Sequence, residues 1–144
     1  MKHLEVDLYC DGASKGNPGP AGVGVKIQNT HQQTVIVEKG IYLGETTNNA
    51  SEYMAIIHGL QLAQQCGATR VNIYSDSMLI INHLKGEYKI RNSRLEPLYN
   101  RVIDLLKLFG DGYTFNHIER SKNSRADELA NIAIKRGYQD EKKE

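Results

Sequence analysis

The hydrophobic period of this chain switches along its length, and the order of the switches leaves few folds open. Leu4, Val6, Leu8 and Cys10 alternate with Glu5, Asp7, Tyr9 and Asp11, a period of two that predicts a strand. A loop rich in Gly and Pro follows, Gly12-Ala13-Ser14-Lys15-Gly16-Asn17-Pro18-Gly19-Pro20. Ala21–Gln28 and Thr34–Leu43 are two further strand candidates, split by a polar turn at 29–33, so this part of the chain predicts an antiparallel meander. The period then changes. Tyr53, Ile56, Ile57, Leu60 and Ala63 recur at helical spacing, which predicts an amphipathic helix over Asn49–Cys66, ended by Gly67. Val71, Ile73 and Ser75 alternate with Asn72, Tyr74 and Asp76 in a fourth strand. A short helix over Ser77–Leu84 leads into a polar, basic connection through Asn92. Leu95, Leu98, Val102, Leu105, Leu106 and Phe109 mark a longer helix, Tyr113–Arg120 a fifth strand, and Ser124–Arg136 a last helix closed by Gly137. The order β-β-β-α-β-α-α-β-α predicts an α/β fold in which any crossover joining two parallel strands is right-handed.

With 144 residues the expectation is one domain over 1–138, followed by a charged, frayed tail at 139–144. No apolar run approaches the ~20 residues a membrane helix needs, and Met-Lys-His-Leu-Glu-Val-Asp has no apolar signal core, so the expected location is the cytoplasm. Cys10 and Cys66 have no redox or metal spacing and are expected to be buried or half-buried thiols in a reducing compartment. The net charge is only +1, so any grip on phosphate must be local or supplied by metal ions. Two local basic patches exist, Lys85, Lys89, Arg91, Arg94 and Arg120, Lys122, Arg125; taken alone, each reads as a solvated surface.

Four carboxylates stand in frames of their own: Asp11-Gly12-Ala13-Ser14, Asn48-Asn49-Ala50-Ser51-Glu52-Tyr53, Tyr74-Ser75-Asp76-Ser77 and Arg125-Ala126-Asp127-Glu128-Leu129-Ala130. Each lies where a strand ends or a helix starts. Local chemistry explains each one singly. Asp11-Gly12 is a turn dipeptide, Asn49 with Glu52 and Ser124 with Asp127 have capping-box spacing, and Asp76 can cap the short helix. Capping does not explain why all four fall near one edge of one sheet. If the strands ending at Asp11 and Asp76 are parallel neighbours, the two aspartates meet at their carboxyl ends, where open α/β sheets bind ligands. Such a cage of oxygens calls for hard divalent cations such as Mg²⁺. Other chemistries lack support. The histidines His3, His31, His58, His83 and His117 are scattered without zinc spacing, and no Walker loop, G-x-G-x-x-G or G-x-S-x-G is present.

In their order and spacing these frames resemble the ribonuclease HI family from about Lys2 to Gly137. The resemblance is carried by Asp11-Gly12-x-x-x-Gly16-Asn17-Pro18-Gly19-Pro20, Thr46-Thr47-Asn48-Asn49 before Glu52, Ser75-Asp76-Ser77, and Asn123-x-x-Ala126-Asp127-x-Leu129-Ala130. It implies the ribonuclease H-like fold, an α/β fold with a five-stranded mixed sheet (three antiparallel strands, then two parallel) flanked by helices. It also implies a monomeric endonuclease cutting the RNA strand of RNA–DNA hybrids with two Mg²⁺ ions, Mn²⁺ being a possible substitute. Asp11, Glu52, Asp76 and Asp127 would be the catalytic, metal-binding carboxylates, with Asp11 and Asp76 nearest the scissile phosphate and no side-chain nucleophile needed. Asn17, Asn48 and Asn49 match positions facing the minor groove of the hybrid, where amides suit the 2′-hydroxyl. Gly12, Ala13 and Ser14 would let the RNA approach closely, Thr47 would hold a DNA-strand phosphate, and Asn92 would assist it.

The chain departs from the family pattern in two places. The loop Arg120-Ser121-Lys122-Asn123 lacks the histidine many bacterial relatives carry there, and Leu84–Ser93 is too short for the Trp-containing basic protrusion of others. Because the first strand stands at the start of the sequence, the expectation is that no separate hybrid-binding domain precedes it and that binding is weaker and salt-sensitive. Two rivals stay open at this point: a catalytically impaired nucleic-acid-binding module of the same fold, and a nuclease acting on DNA or double-stranded RNA.

Overall fold

The structure, a computed structural model, describes residues 2–143. Its elements are β1 (Glu5–Ser14), β2 (Gly19–Asn29), β3 (Val35–Thr46), α1 (Asn48–Gln65), β4 (Arg70–Ser75), α2 (Met78–Leu84), α3 (Glu96–Leu106), β5 (Tyr113–His117), a 3-10 turn (Arg120–Asn123) and α4 (Ser124–Lys143). The sheet order is β3-β2-β1-β4-β5. β1–β2 and β2–β3 pair antiparallel, and β1–β4 and β4–β5 pair parallel. This is the five-stranded mixed sheet the resemblance implies, and β1–β3 form the antiparallel meander the periodicity predicts.

Alternation along β1 sorts the two faces. Val6, Leu8 and Cys10 point into the main core beneath α1, which contributes Tyr53, Ile56, Ile57, Leu60 and Ala63. Val102, Leu105 and Leu106 of α3 close the same core from outside. Each such side chain contributes roughly 1.5–3 kcal/mol by leaving water. On the other face α4 lies directly on the sheet backbone. A Cβ added at Gly24 would overlap the Ala126 carbonyl, and one at Gly22 would come within 2.9 Å of the Ala130 carbonyl oxygen. Among the described residues, no helix is long and apolar enough to cross a membrane.

The structure moves several expected boundaries. Asp11 does not end its strand, because β1 continues to Ser14 against β2. β5 stops at His117, three residues short of Arg120, and the segment expected as a loop at 120–123 is a 3-10 turn. Gly67, at φ +86°, closes α1 as expected. Gly137 does not close α4. It is the place where the helix crosses Tyr42, whose ring a Cβ would overlap, and the helix runs on to Lys143. The Tyr42 hydroxyl donates to Glu141 Oε2 at 2.9 Å, tying down most of the stretch expected to fray. Glu144 lies outside the described residues.

Candidate active site

The parallel register of β1 and β4 runs from Glu5↔Arg70 to Tyr9↔Tyr74. Two residues beyond that last pair stand Asp11, within β1, and Asp76, just past the end of β4. Glu52 reaches the same point from the first turns of α1, and its Oε1 accepts the Gly12 N–H at 2.5 Å. Only glycine fits at position 12, since a Cβ there would overlap the Ser51 carbonyl. That close crossing of α1 over β1 brings Glu52 to Asp11. Carboxylate oxygens of Asp11, Glu52 and Asp76 all lie within 4.8 Å of one another.

Capping, the competing explanation for these residues, belongs to their neighbours. Thr47 caps α1, its Oγ1 accepting the Ala50 N–H at 3.2 Å, so Asn49 is not the cap and Glu52 has no capping-box role. Ser77, not Asp76, caps α2 by accepting the Ile80 N–H at 3.3 Å. Asp127 sits in the first turn of α4, its carboxylate beside that of Asp11 but outside the group of three that lie within 4.8 Å of one another. Its Oδ1 also accepts from Asn131 Nδ2 at 3.2 Å and faces Arg120 Nη2 at 3.8 Å.

The electrostatics are those of a site short of positive charge. Burial and the neighbouring Glu52 charge push the Asp11 carboxyl up to about 10. Burial pushes Glu52 up to about 7 despite the Gly12 N–H. Burial also raises Asp76, with Arg120 pulling the other way. The buried Cys10 thiol beneath them is held well above its ordinary range by burial first and by these three carboxylates second. Neutralising such a group takes protons or cations, and hard carboxylate oxygens fit a hard divalent ion.

A cavity of about 400 Å³ opens over the carboxylates. It gathers Asp11, Gly12, Ala13, Ser14, Asn48, Glu52, Asp76 and Asp127, and adds Lys15, Arg120 and Asn131. Ser14 Oγ donates to the carbonyls of Gly16 and Thr46, folding the β1–β2 loop against the end of β3. Asn17 Oδ1 accepts the Asn48 N–H at 3.1 Å, which ties that loop to the start of α1. Thr47 accepts one hydrogen bond as a cap and keeps its own O–H to donate. Asn49 and Asn92 do not line this cavity. They line a second one of about 540 Å³ together with His83, Lys89 and Arg91. His83 is buried there, 2.7 Å from the Tyr53 hydroxyl. The residues sequence reasoning did not place at the site are therefore Lys15, Arg120, Asn131 and His83. For Asn131 a signal existed, since it follows Asp127 by one helical turn.

Residues 9–133 match the family model described as reverse transcriptase-like, which together with the mixed sheet and its carboxylate-lined edge defines the class. A bifunctional protein of Mycobacterium tuberculosis is 35% identical over 131 residues, covering 91% of this chain and 36% of that protein. The chain thus spans about a third of the length of its mycobacterial relatives. The crystal structure of RNase H1 from Halobacterium salinarum superposes with a TM-score of 0.88 at 37% identity, covering 91% of this chain and 98% of that one. LC11-RNase H1, solved in complex with an RNA/DNA hybrid, gives 0.87 at 36% identity, covering 92% and 99%. The chain belongs to the ribonuclease H family.

Proposed function

We propose that this chain is a divalent-metal-dependent endonuclease that hydrolyses the RNA strand of RNA–DNA hybrids, acting as a monomer in the cytoplasm. The observation that carries the reading is the meeting of Asp11, Glu52 and Asp76, from three separate elements, within 4.8 Å at the end of two parallel strands. The hybrid-bound relative supports the choice of substrate. Asp11, Glu52, Asp76 and Asp127 hold the metal, two Mg²⁺ ions when substrate is bound, with Mn²⁺ able to replace them. Bound there, the ions supply an activated water and stabilise the departing 3′-oxygen.

The remaining work belongs to the chain. Gly12, Ala13 and Ser14 present backbone and short side chains, so the RNA strand comes close to the carboxylates. Asn17, Asn48 and Asn49 address 2′-hydroxyls, the group that separates RNA from DNA. The Thr47 hydroxyl and Asn92 receive a phosphate of the DNA strand. Asn48 lines the cavity over the carboxylates and Asn49 the second one.

The test is cleavage of a labelled hybrid, a DNA duplex and an RNA duplex in Mg²⁺, Mn²⁺ or chelator, beside an Asp11→Asn variant. Metal-dependent cutting of the hybrid alone, lost in the variant, is expected. Cutting that survives in chelator overturns the metal mechanism. Silence from the wild type with both metals points to a binding module, and preference for either duplex points to a different nuclease.

A further inference from the structure

Asn131 belongs to no motif, yet its amide is fully engaged. Nδ2 donates to the Asp127 backbone carbonyl at 2.9 Å and to Asp127 Oδ1 at 3.2 Å, while Oδ1 accepts from Lys15 Nζ at 2.6 Å. Lys15 and Asn131 both line the cavity over the carboxylates. A continuous set of hydrogen bonds therefore runs from the β1–β2 loop, through one side-chain amide on α4, to the fourth carboxylate of the cage.

Asp127 has a rival partner. Arg120 Nη2 stands 3.8 Å from the same Oδ1, but the Arg120 side chain is 81% exposed. An exposed pair at that separation holds weakly and is screened by salt. The Asn131 amide is half-buried, at hydrogen-bond distance and one turn away on the same helix. By binding the carbonyl and the carboxylate of one residue together, it restricts the rotamers open to Asp127. The Lys15 ammonium on the amide oxygen polarises the amide and strengthens the bonds that Nδ2 gives.

We infer that Asn131 is a positioning residue for Asp127, and that Lys15 acts on the cage through Asn131: together they aim the carboxylate at Asp11 and so set the affinity of the cage for a divalent ion. The inference rests on Asp127 being a metal ligand, as proposed above. Partners that orient metal-bound carboxylates typically change metal affinity by about 10–100-fold.

The test is a titration of Mn²⁺ against the full chain without nucleic acid, followed by the electron paramagnetic resonance of the free ion. The chains compared are wild type, Asn131→Leu, Asn131→Ala, Lys15→Met and the double variant Lys15→Met/Asn131→Leu. Both Asn131 variants are expected to bind Mn²⁺ about 10-fold more weakly, with KM for the hybrid unchanged at saturating Mn²⁺. Lys15→Met loses less, and in the double variant it loses nothing beyond Asn131→Leu, because its route to Asp127 is already gone. Wild-type Mn²⁺ affinity in a folded Asn131 variant overturns the positioning role. Simple addition of the two losses overturns the route through Asn131. The alanine variant, which leaves space instead of an alkyl group, serves if the leucine variant does not fold, as checked by circular dichroism. The titration itself contains no nucleic acid, so the Mn²⁺ affinities are independent of whether the hybrid is the substrate; only the KM comparison uses the hybrid.

Discussion

Asp7 and Asp11 lie four residues apart on one face of β1 and are buried alike, 7% and 6% exposed, yet the fold treats them in opposite ways. Asp7 is surrounded by donors. Thr30 Oγ1 gives it a hydrogen bond at 2.8 Å, Asn72 Nδ2 one at 3.2 Å and Gln28 Nε2 one at 3.4 Å. Thr114 Oγ1 holds Asn72 in turn at 2.8 Å, and Asn116 Nδ2 donates to Thr114 at 2.9 Å. Asp11 instead faces Glu52, Asp76 and Asp127. A buried carboxylate among amides and hydroxyls is a structural member whose charge is already satisfied. A buried carboxylate among carboxylates waits for charge from outside. Burial does not separate the two; the partners do.

That contrast can be broken most sharply through catalysis. Asp11→Asn should reduce metal-dependent hybrid cleavage to background, while Asp7→Asn, which keeps an acceptor for Thr30 and Asn72, should cut at close to the wild-type rate, both read on a labelled hybrid in Mg²⁺. Stability should move the other way. Asp7→Ala leaves the donors of Asn72, Thr30 and Gln28 unpaired and should cost about 1–3 kcal/mol in urea unfolding. Asp11→Asn relieves a crowded negative site and should stabilise the metal-free protein, on the order of 2 kcal/mol at pH 8.

The pH dependence sharpens the same point. The Asp11 carboxyl titrates near 10 in the folded chain against about 3.9 when unfolded. Between those values the folded chain keeps a proton that the unfolded chain has released. The stability this group contributes is therefore complete below about pH 4 and is lost as the pH rises toward 10. In chelator, the melting temperature of the wild type relative to Asp11→Asn should fall steadily across that window, and Mg²⁺ should close the gap. A difference that stays flat with pH would mean that the crowded carboxylates do not hold a proton on Asp11. The smallest effect expected is that of Thr30→Val, which deletes one of the donors to Asp7 and should cost ~1 kcal/mol, with cleavage intact.

The antiparallel meander and the helix placement were legible because period two and period 3.6 are strong signals, and the core residues of α1 were those its spacing picks out. The pairing of β1 with β4 joins segments far apart in the sequence, and periodicity does not report it. Element ends were less so. Thr47 and Ser77 won the caps from Asn49 and Asp76 because competing polar residues stand side by side at both helix starts, and a local sequence does not rank them. Gly137 looked like a helix terminator, but its missing side chain serves the crossing over Tyr42, a contact between distant parts of the chain. The carboxylates were legible through their frames. Asn131 was legible only in part: its spacing from Asp127 could be read, but its other partner, Lys15, is distant in sequence. His83 was hidden for a similar reason, since its partner Tyr53 lies on another helix.

Gly22 and Gly24 set the height of α4 above the sheet, chiefly by contact with the carbonyls of Ala126 and Ala130. The large side chains of the main core lie on the opposite face and can drift in size without tilting that helix. The fourth carboxylate is thus insulated from the slow turnover of core residues, and its placement should be among the last features of this chain to wander as sequences diverge.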